Sequence, residues 1–206
     1  MNKERLSDTV CVYTDGAVTF GQDALALARF CEATPADTAA DLGTGSGVIP
    51  LLWAAEGRLP KTVLAVERFA PAAALAARSV AENGLADRIT VEPRDWNDLP
   101  ATLDGRFTLV SCNPPYFKRD SGKLSPDPAR AAARTEDNDA ALPRLFKTAA
   151  RLLAPDGRFC FCMRPERQND VAAALDAAGL IPIHTAPLEN ENGAWLTLYS
   201  AKRRNA

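Results

Sequence analysis

Short apolar runs recur along the chain at 38–42, 62–67, 89–92, 107–112, 158–163 and 180–185. Runs of that length predict buried strands. Between them, segments 47–56, 71–83, 140–153 and 168–178 carry apolar residues at helical spacing, and several close on Gly or Asn, which predicts helices. Strands that alternate with helices need crossover connections, so the sheet is expected to be largely parallel and sandwiched between helices. The end of the chain breaks the alternation, because the runs 180–185 and 194–201 are joined only by the polar stretch ENENG. The pattern therefore predicts an α/β fold: a mostly parallel seven-stranded sheet with a C-terminal antiparallel hairpin and helices on both faces. A long irregular stretch at 118–138 stands apart, and loops of that length inside compact domains are usually functional.

Composition narrows the picture. The chain has 206 residues, of which 47% are hydrophobic, enough for one core, and a single domain over 1–206 is expected. A formal net charge of -2 excludes a pervasive basic field, so any polyanion must be met by a local patch. The start, MNKERLSDTV, offers no export signal, and runs such as VIPLLWAA are far too short to cross a bilayer, so a cytosolic protein with no membrane partner is expected. Cys11, Cys31, Cys112, Cys160 and Cys162 lack paired spacing, which argues against a zinc cluster and a disulfide framework alike. A lone histidine, His184, cannot supply a multi-histidine site, and no metal is expected.

The candidate chemistry begins with DLGTGSG, 41–47, which follows the first parallel strand and opens a helix. Glycines let the backbone turn sharply and approach a ligand closely. The dinucleotide fingerprint GxGxxG needs a third glycine at position 48, where Val48 stands, whereas GxGxG is met by Gly43, Gly45 and Gly47. That spacing favours S-adenosylmethionine, which has no pyrophosphate for the helix N-terminus, over a nicotinamide dinucleotide. Asp41 is then a candidate for the ammonium end of the methionine. Glu67, about twenty residues past the glycines, is placed for the ribose hydroxyls. Asp95 and Trp96, after the third strand, offer a carboxylate for the adenine amine and an apolar face for its ring.

The fourth strand ends in SCNPPYF, 111–117. In open α/β sheets, ligands bind outside the carboxyl ends of the strands, so this segment should reach the border of the same site. Pro114 and Pro115 lack an N–H and have a fixed φ, giving a stiff extended segment. A backbone carbonyl held there and the Asn113 amide oxygen make two acceptors, which suit a planar NH2 group and leave its nitrogen lone pair directed outward. Tyr116 and Phe117 can stack on the face of a base. No general base is needed, since the cationic product nitrogen loses its proton readily, and positioning with acceptor electrostatics would carry the catalysis.

With DLGTGSG and NPPY in this order, the chain resembles class I, Rossmann-like S-adenosylmethionine-dependent methyltransferases that act on planar amines, a group including N6-adenine methylases and release-factor glutamine methylases. The two motifs do not separate these members. The segments DGAVTFGQDALALARF, ARTEDN and FCMRPERQNDVAAALDAAGL look like the small bacterial enzymes that methylate N6 of the adenine beside the anticodon in valine tRNA. The resemblance covers nearly the whole chain.

It implies an N-terminal extension and helix, 1–33, packed over the cofactor site through Phe20, Gln22 and Asp23. It further implies that Asp41, Gly43, Thr44, Gly45, Gly47, Glu67, Arg68, Asp95 and Trp96 bind the cofactor together with Asn113. Asn113, Pro114 and Tyr116 would carry catalysis, and Pro115, Tyr116, Phe117, Lys118, Arg119 and Arg134 would meet the substrate. Asp23 has a second reading as the acid that begins a helix at 24–31.

The implied partner is tRNA, held by a local basic patch of Lys118, Arg119, Lys123, Arg130 and Arg134, with Lys202, Arg203 and Arg204 as a second cationic point. An anticodon-loop adenine is already unpaired, which lowers the cost of presenting it. A monomer is slightly favoured. The alternatives are a protein glutamine acceptor, against which stand only about forty residues before the first sheet strand, and a cofactor-binding module without activity. A dehydrogenase is the more distant choice.

Overall fold

The computed structural model describes residues 1–115, 141–191 and 193–204. Among these residues, nine strands and five α-helices follow in chain order: β1 (Asn2–Arg5), β2 (Cys11–Thr14), α1 (Gln22–Phe30), β3 (Thr38–Leu42), α2 (Val48–Ala55), β4 (Thr62–Val66), α3 (Ala70–Glu82), β5 (Ile89–Glu92), β6 (Phe107–Cys112), α4 (Ala141–Leu152), β7 (Leu153–Met163), α5 (Gln168–Ala177), β8 (Leu180–Asn190) and β9 (Gly193–Arg203). Seven strands form one sheet in the order β5-β4-β3-β6-β7-β9-β8. β3 pairs in parallel with β4 and β6, β4 with β5 and β6 with β7, while β9 runs antiparallel between β7 and β8. The expected parallel sheet with its terminal hairpin is thus the observed one.

The order explains why helices cover both faces. From β3 the chain winds outward through α2, β4, α3 and β5, and then restarts beside β3 and winds the other way through β6, α4 and β7. Right-handed crossovers taken in opposite directions put the two groups of helices on opposite sides, and the sheet opens between β3 and β6 at its carboxyl end.

The central strands read as continuous apolar runs because both their faces are covered. In β7 the segment FCFCM is buried throughout, and Phe161 stacks on Tyr199 of β9 and packs against Phe146 of α4, with ring centroids 4.9 and 4.6 Å apart. Truncating such a ring costs about 3–5 kcal/mol, so Phe161→Ala should strongly destabilise this half. On the other side, Trp53 of α2 is buried and its Nε1 donates to the Ala28 carbonyl of α1 at 2.8 Å, so α1 and α2 pack as a pair.

Three differences from the sequence pattern have physical causes. β7 starts at Leu153 rather than 158, because the residues Pro155, Asp156 and Gly157, which read as a turn, are accommodated by a register shift against β6 between Phe107 and Leu109. Gly157 allows it: a Cβ there would stand 2.8 Å from the Phe107 carbonyl oxygen. The terminal hairpin runs deeper into ENENG than expected, with Asn190 paired to Gly193, whose φ of 96° belongs to the left-handed region.

The third difference is β1–β2, which no alternating pattern announces: β1 is fully exposed and β2 buried on both sides. This hairpin is held on α3 by side chains. Asn83 Oδ1 accepts from the Cys11 N–H at 3.0 Å, its Nδ2 donates to the Cys11 carbonyl at 2.7 Å, and Ser79 Oγ accepts from the Tyr13 N–H at 2.8 Å. Of residues 1–33, therefore, the hairpin seals α3, and only the stretch after it reaches the open end of the sheet.

Candidate active site

A cavity of about 930 Å³ lies at the carboxyl ends of β3, β4, β5 and β6, where the strand order reverses. Its floor is the glycine loop. Gly43, Gly45 and Gly47 have φ of 74°, 58° and 83°, values that other residues adopt only under strain. The N–H groups of Gly43 and Thr44 donate to the Val66 carbonyl at 2.8 and 3.0 Å, tying the loop to the end of β4. A Cβ added at Gly45 would stand in open space, so this backbone is free to be approached. Gly47 does something else: it caps α2, does not line the cavity, and a Cβ there would meet the Ala76 Cβ of α3 at 3.4 Å. Its glycine serves helix packing.

The acids at the strand ends divide in the same way. Glu67 lines the cavity and braces it, since Oε2 accepts from the Gly45 N–H at 2.9 Å and Oε1 from the Phe69 N–H at 2.8 Å. A carboxylate has about four lone-pair sites, so each oxygen keeps one for a ligand hydroxyl. Asp95 also lines the cavity. Its Oδ1 accepts from the Asn97 backbone and side chain at 2.9 and 2.8 Å, and its Oδ2 lies 3.6 Å from the Arg68 guanidinium. Trp96 packs against Gly43, and its buried Nε1 has no hydrogen-bond partner among the described residues.

Asp41 is not on the wall. It is fully buried beneath the loop, where Oδ1 accepts from the Ser111 hydroxyl at 2.7 Å. Its Oδ2 and the nearby Thr44 Oγ1 make no hydrogen bond of good geometry among the described residues. Burial pushes the Asp41 carboxyl up to about 6, with the Glu67 charge adding to it and the Thr44 and Ser111 hydroxyls opposing.

Asn113 leaves β6 directly into the cavity, followed by Pro114 and Pro115, which also line it. Asn113 Nδ2 donates to Asp23 Oδ2 at 3.2 Å, and its Oδ1 accepts from the Cys162 thiol at 3.0 Å. Asp23 sits in the first turn of α1, which begins at Gln22. It thus stands early in the helix and also lines the cavity. Phe20 lines the cavity with it, whereas Gln22 is exposed and does not line it.

Tyr116, Phe117, Lys118, Arg119 and Arg134 lie outside the described residues. Two of the three C-terminal cations are engaged within the described residues. Arg203 donates to the Ala150 and Arg151 carbonyls at the end of α4, and Arg204 pairs with Asp176 at 2.8 Å. His184, read as an ordinary strand residue, stacks on Phe30.

Sequence reasoning missed several lining residues: Arg144 and Leu145 of α4, Phe69 at the start of α3, and the Cys162 contact with Asn113. α4 carries a strong amphipathic pattern, and its exposed Arg144 was the available signal. No group of three or more His, Cys, Asp or Glu is placed to hold a metal ion, and no helix is long and apolar enough to cross a membrane, among the described residues.

An open sheet in this order, with a glycine loop after its first parallel strand and Asn-Pro-Pro after its fourth, is the class I methyltransferase architecture. A solved ribosomal protein L11 methylase from Lactobacillus delbrueckii subsp. bulgaricus shares the fold, with a TM-score of 0.62 at 21% identity over 98% of this chain and 100% of that one. The chain belongs to the methyltransferase small domain family, whose model matches residues 5–177.

Among curated relatives, it is 33% identical to the tRNA1(Val) (adenine(37)-N6)-methyltransferase of Shewanella amazonensis over 77% of this chain and 66% of that protein. It is 31% identical to the protein of the same name from Citrobacter koseri over 85% of this chain and 71% of that one. The chain thus spans about two thirds of the length of these relatives. The family relationship expected from DLGTGSG and NPPY is borne out.

Proposed function

We propose that the chain transfers a methyl group from S-adenosyl-L-methionine to the exocyclic N6 of an unpaired adenine in tRNA, the reaction for which its relatives are named. The observation that carries the reading is the Asn113 amide oxygen, held at the cavity beside a glycine loop with open backbone.

The residues present fit the cofactor. The cradle at Gly45, the spare acceptor capacity of Glu67 and Asp95, and the Trp96 Nε1 and Thr44 Oγ1, which have no hydrogen-bond partner of good geometry among the described residues, are the donors, acceptors and space that an amino acid joined to a nucleoside requires. Gly43, Thr44, Gly45, Glu67, Asp95, Trp96 and Phe20 would hold it. When bound, it supplies an electrophilic methyl group on a positively charged sulfur.

The chain's own part is positional. Asn113 Oδ1 accepts a hydrogen from an amine entering the cavity, and the Pro114 carbonyl, in a segment that cannot be drawn into a ladder, is the second acceptor. Two acceptors on one NH2 group concentrate its lone pair on nitrogen and hold that nitrogen in place. The proton released afterwards leaves a cationic nitrogen far more acidic than the starting amine, so water suffices to take it.

The test is transfer of labelled methyl from S-adenosyl-L-methionine to bacterial tRNA lacking its own modifications. Asn113→Ala should lower kcat by roughly 100- to 1000-fold while calorimetry still shows cofactor binding. Label arriving in a protein pool and not in tRNA would replace the RNA acceptor with a side-chain carboxamide. Undiminished transfer by Asn113→Ala would overturn the mechanism.

A further inference from the structure

Asn113 can serve the proposed reaction only if its amide presents oxygen, not nitrogen, to the incoming amine. The two ends of the amide are almost the same size, and a half turn exchanges them at little steric cost. Shape alone does not choose between them.

We propose that Asp23 and Cys162 are positioning residues that fix the polarity of the Asn113 amide, an inference that rests on the methyl-transfer reading above. They reach Asn113 from two different elements, Asp23 from α1 and Cys162 from β7, and they differ in what they offer. An ionised carboxylate only accepts, so Asp23 Oδ2 at 3.2 Å demands the Nδ2 end. The thiol is a better donor to an amide oxygen than an acceptor from an amide NH2, so Cys162 Sγ at 3.0 Å favours the Oδ1 end. A flipped amide would set oxygen against carboxylate on one side, a repulsive contact, and on the other leave NH2 against sulfur, a weaker bond than the one it replaces.

The choice of sulfur has its own logic. Cys162 is fully buried, and a thiol is a weak donor. It can mark the oxygen end while occupying one lone pair lightly, leaving Oδ1 an effective acceptor for the substrate amine.

A separate observation points to the same clamp. Gly21 has φ of -123°, extended backbone open to any residue, so its conformation does not require glycine. Its surroundings matter instead: a Cβ at Gly21 would stand 2.5 Å from Asp23 Oδ1, so the carboxylate would have to move from the position in which its Oδ2 holds Asn113. Gly21 makes room for the carboxylate in the orientation that holds the amide.

The side-chain NH2 signals of Asn113 in the 15N–1H spectrum of the ligand-free protein, assigned by their loss in Asn113→Ala, report the clamp directly. Asp23→Ala should shift them and lower kcat on the order of 10- to 100-fold, as expected for losing one charge-assisted hydrogen bond, with little change in KM for tRNA. Asp23→Asn keeps an acceptor and should recover most of that loss. Gly21→Ala should move the same signals in the direction of Asp23→Ala. Replacing the thiol by a hydroxyl in Cys162→Ser should keep the amide shifts closer to the parent than Cys162→Val does.

In an Asn113→Ala background, Asp23→Ala should cost nothing further, because it acts through the amide. Unmoved amide signals in Asp23→Ala, or a kcat loss that persists undiminished without Asn113, would overturn the proposal. A parent protein inactive on every tRNA would sink the functional reading instead, while the amide signals would still decide the clamp.

Discussion

Two aspartates flank β3, and they live in opposite circumstances. Asp37, just before the strand, is satisfied on both oxygens. Oδ1 accepts from Thr108 Oγ1 at 2.7 Å and Arg158 Nη1 at 3.1 Å, and Oδ2 from the Thr34 N–H at 2.9 Å and Arg158 Nη2 at 3.0 Å. Asp41, inside the strand's other end, keeps one buried oxygen without a partner among the described residues. Burial pushes both carboxyls up, but at Asp37 the Arg158 guanidinium, Thr108 and Thr34 outweigh it and hold the group at about 2, whereas at Asp41 burial prevails and the group sits at about 6. One short strand thus carries a stabilising lock at the amino end of the sheet and a buried, incompletely satisfied acid beneath the cavity at the carboxyl end. The difference is the one expected of an open α/β sheet, where stability and binding are assigned to opposite edges.

The largest effect should come from breaking the lock. Arg158 also donates to the Cys31 and Glu32 carbonyls, tying α1 to the sheet. Arg158→Ala leaves Asp37 charged, buried and partly unpaired, and should cost about 3 kcal/mol in a urea unfolding experiment. Cofactor affinity per folded molecule should change little, and a large loss of affinity at unchanged stability would refute the division between the two ends.

The next effect is in pH. For Asp41 the folded value lies above the ordinary one, so the folded protein binds this proton more tightly between about pH 4 and 6, and stability falls as pH rises through that window. The loss is roughly 2–3 kcal/mol, and Asp41→Asn should escape it, gaining on the parent from pH 4 to 7. For Asp37 the folded value lies below the ordinary one, so its contribution is complete above about pH 4 and is lost as pH falls toward 2, by roughly 2 kcal/mol. Asp37→Asn should flatten that acid limb alone. Slopes of the same sign in both windows, measured as the difference between variant and parent, would contradict the assignment.

The smallest effect belongs to the loop. Gly45→Ala meets no neighbour but must adopt a φ of 58°, so it should cost about 1 kcal/mol in stability. Its methyl group also covers open backbone at the cavity, so cofactor affinity should fall more than stability does.

Much of the sheet and of the cavity wall was legible before the structure, though the contrast between Asp37 and Asp41 was not. The buried strands announce themselves because their apolar runs answer to local geometry, and the glycine loop, Glu67, Asp95, Trp96 and Asn113 fall in order at successive strand ends. What could not be read depends on partners distant in the chain. Asp23 meets Asn113 across 90 positions, and Cys162 reaches it from β7. Asp41 looks like a wall residue in DLGTGSG, yet it faces Ser111 beneath the loop, because strand alternation turns it inward. Gly47 belongs to the motif by spacing and to helix packing by position. The hairpin of β1 and β2 has no periodic signature, since four residues buried on both sides opposite four exposed ones give none.

The central claim is that the carboxyl end of β6, through Asn113, directs methyl transfer to the amine of an adenine. The most direct measurement is mass spectrometry of nucleosides from unmodified valine tRNA incubated with the protein and S-adenosyl-L-methionine. The account predicts one new N6-methyladenosine per tRNA with the parent chain and, in the same time, at least roughly a hundredfold less with Asn113→Ala. Methylation of a different atom, or equal yields from the two proteins, would contradict it.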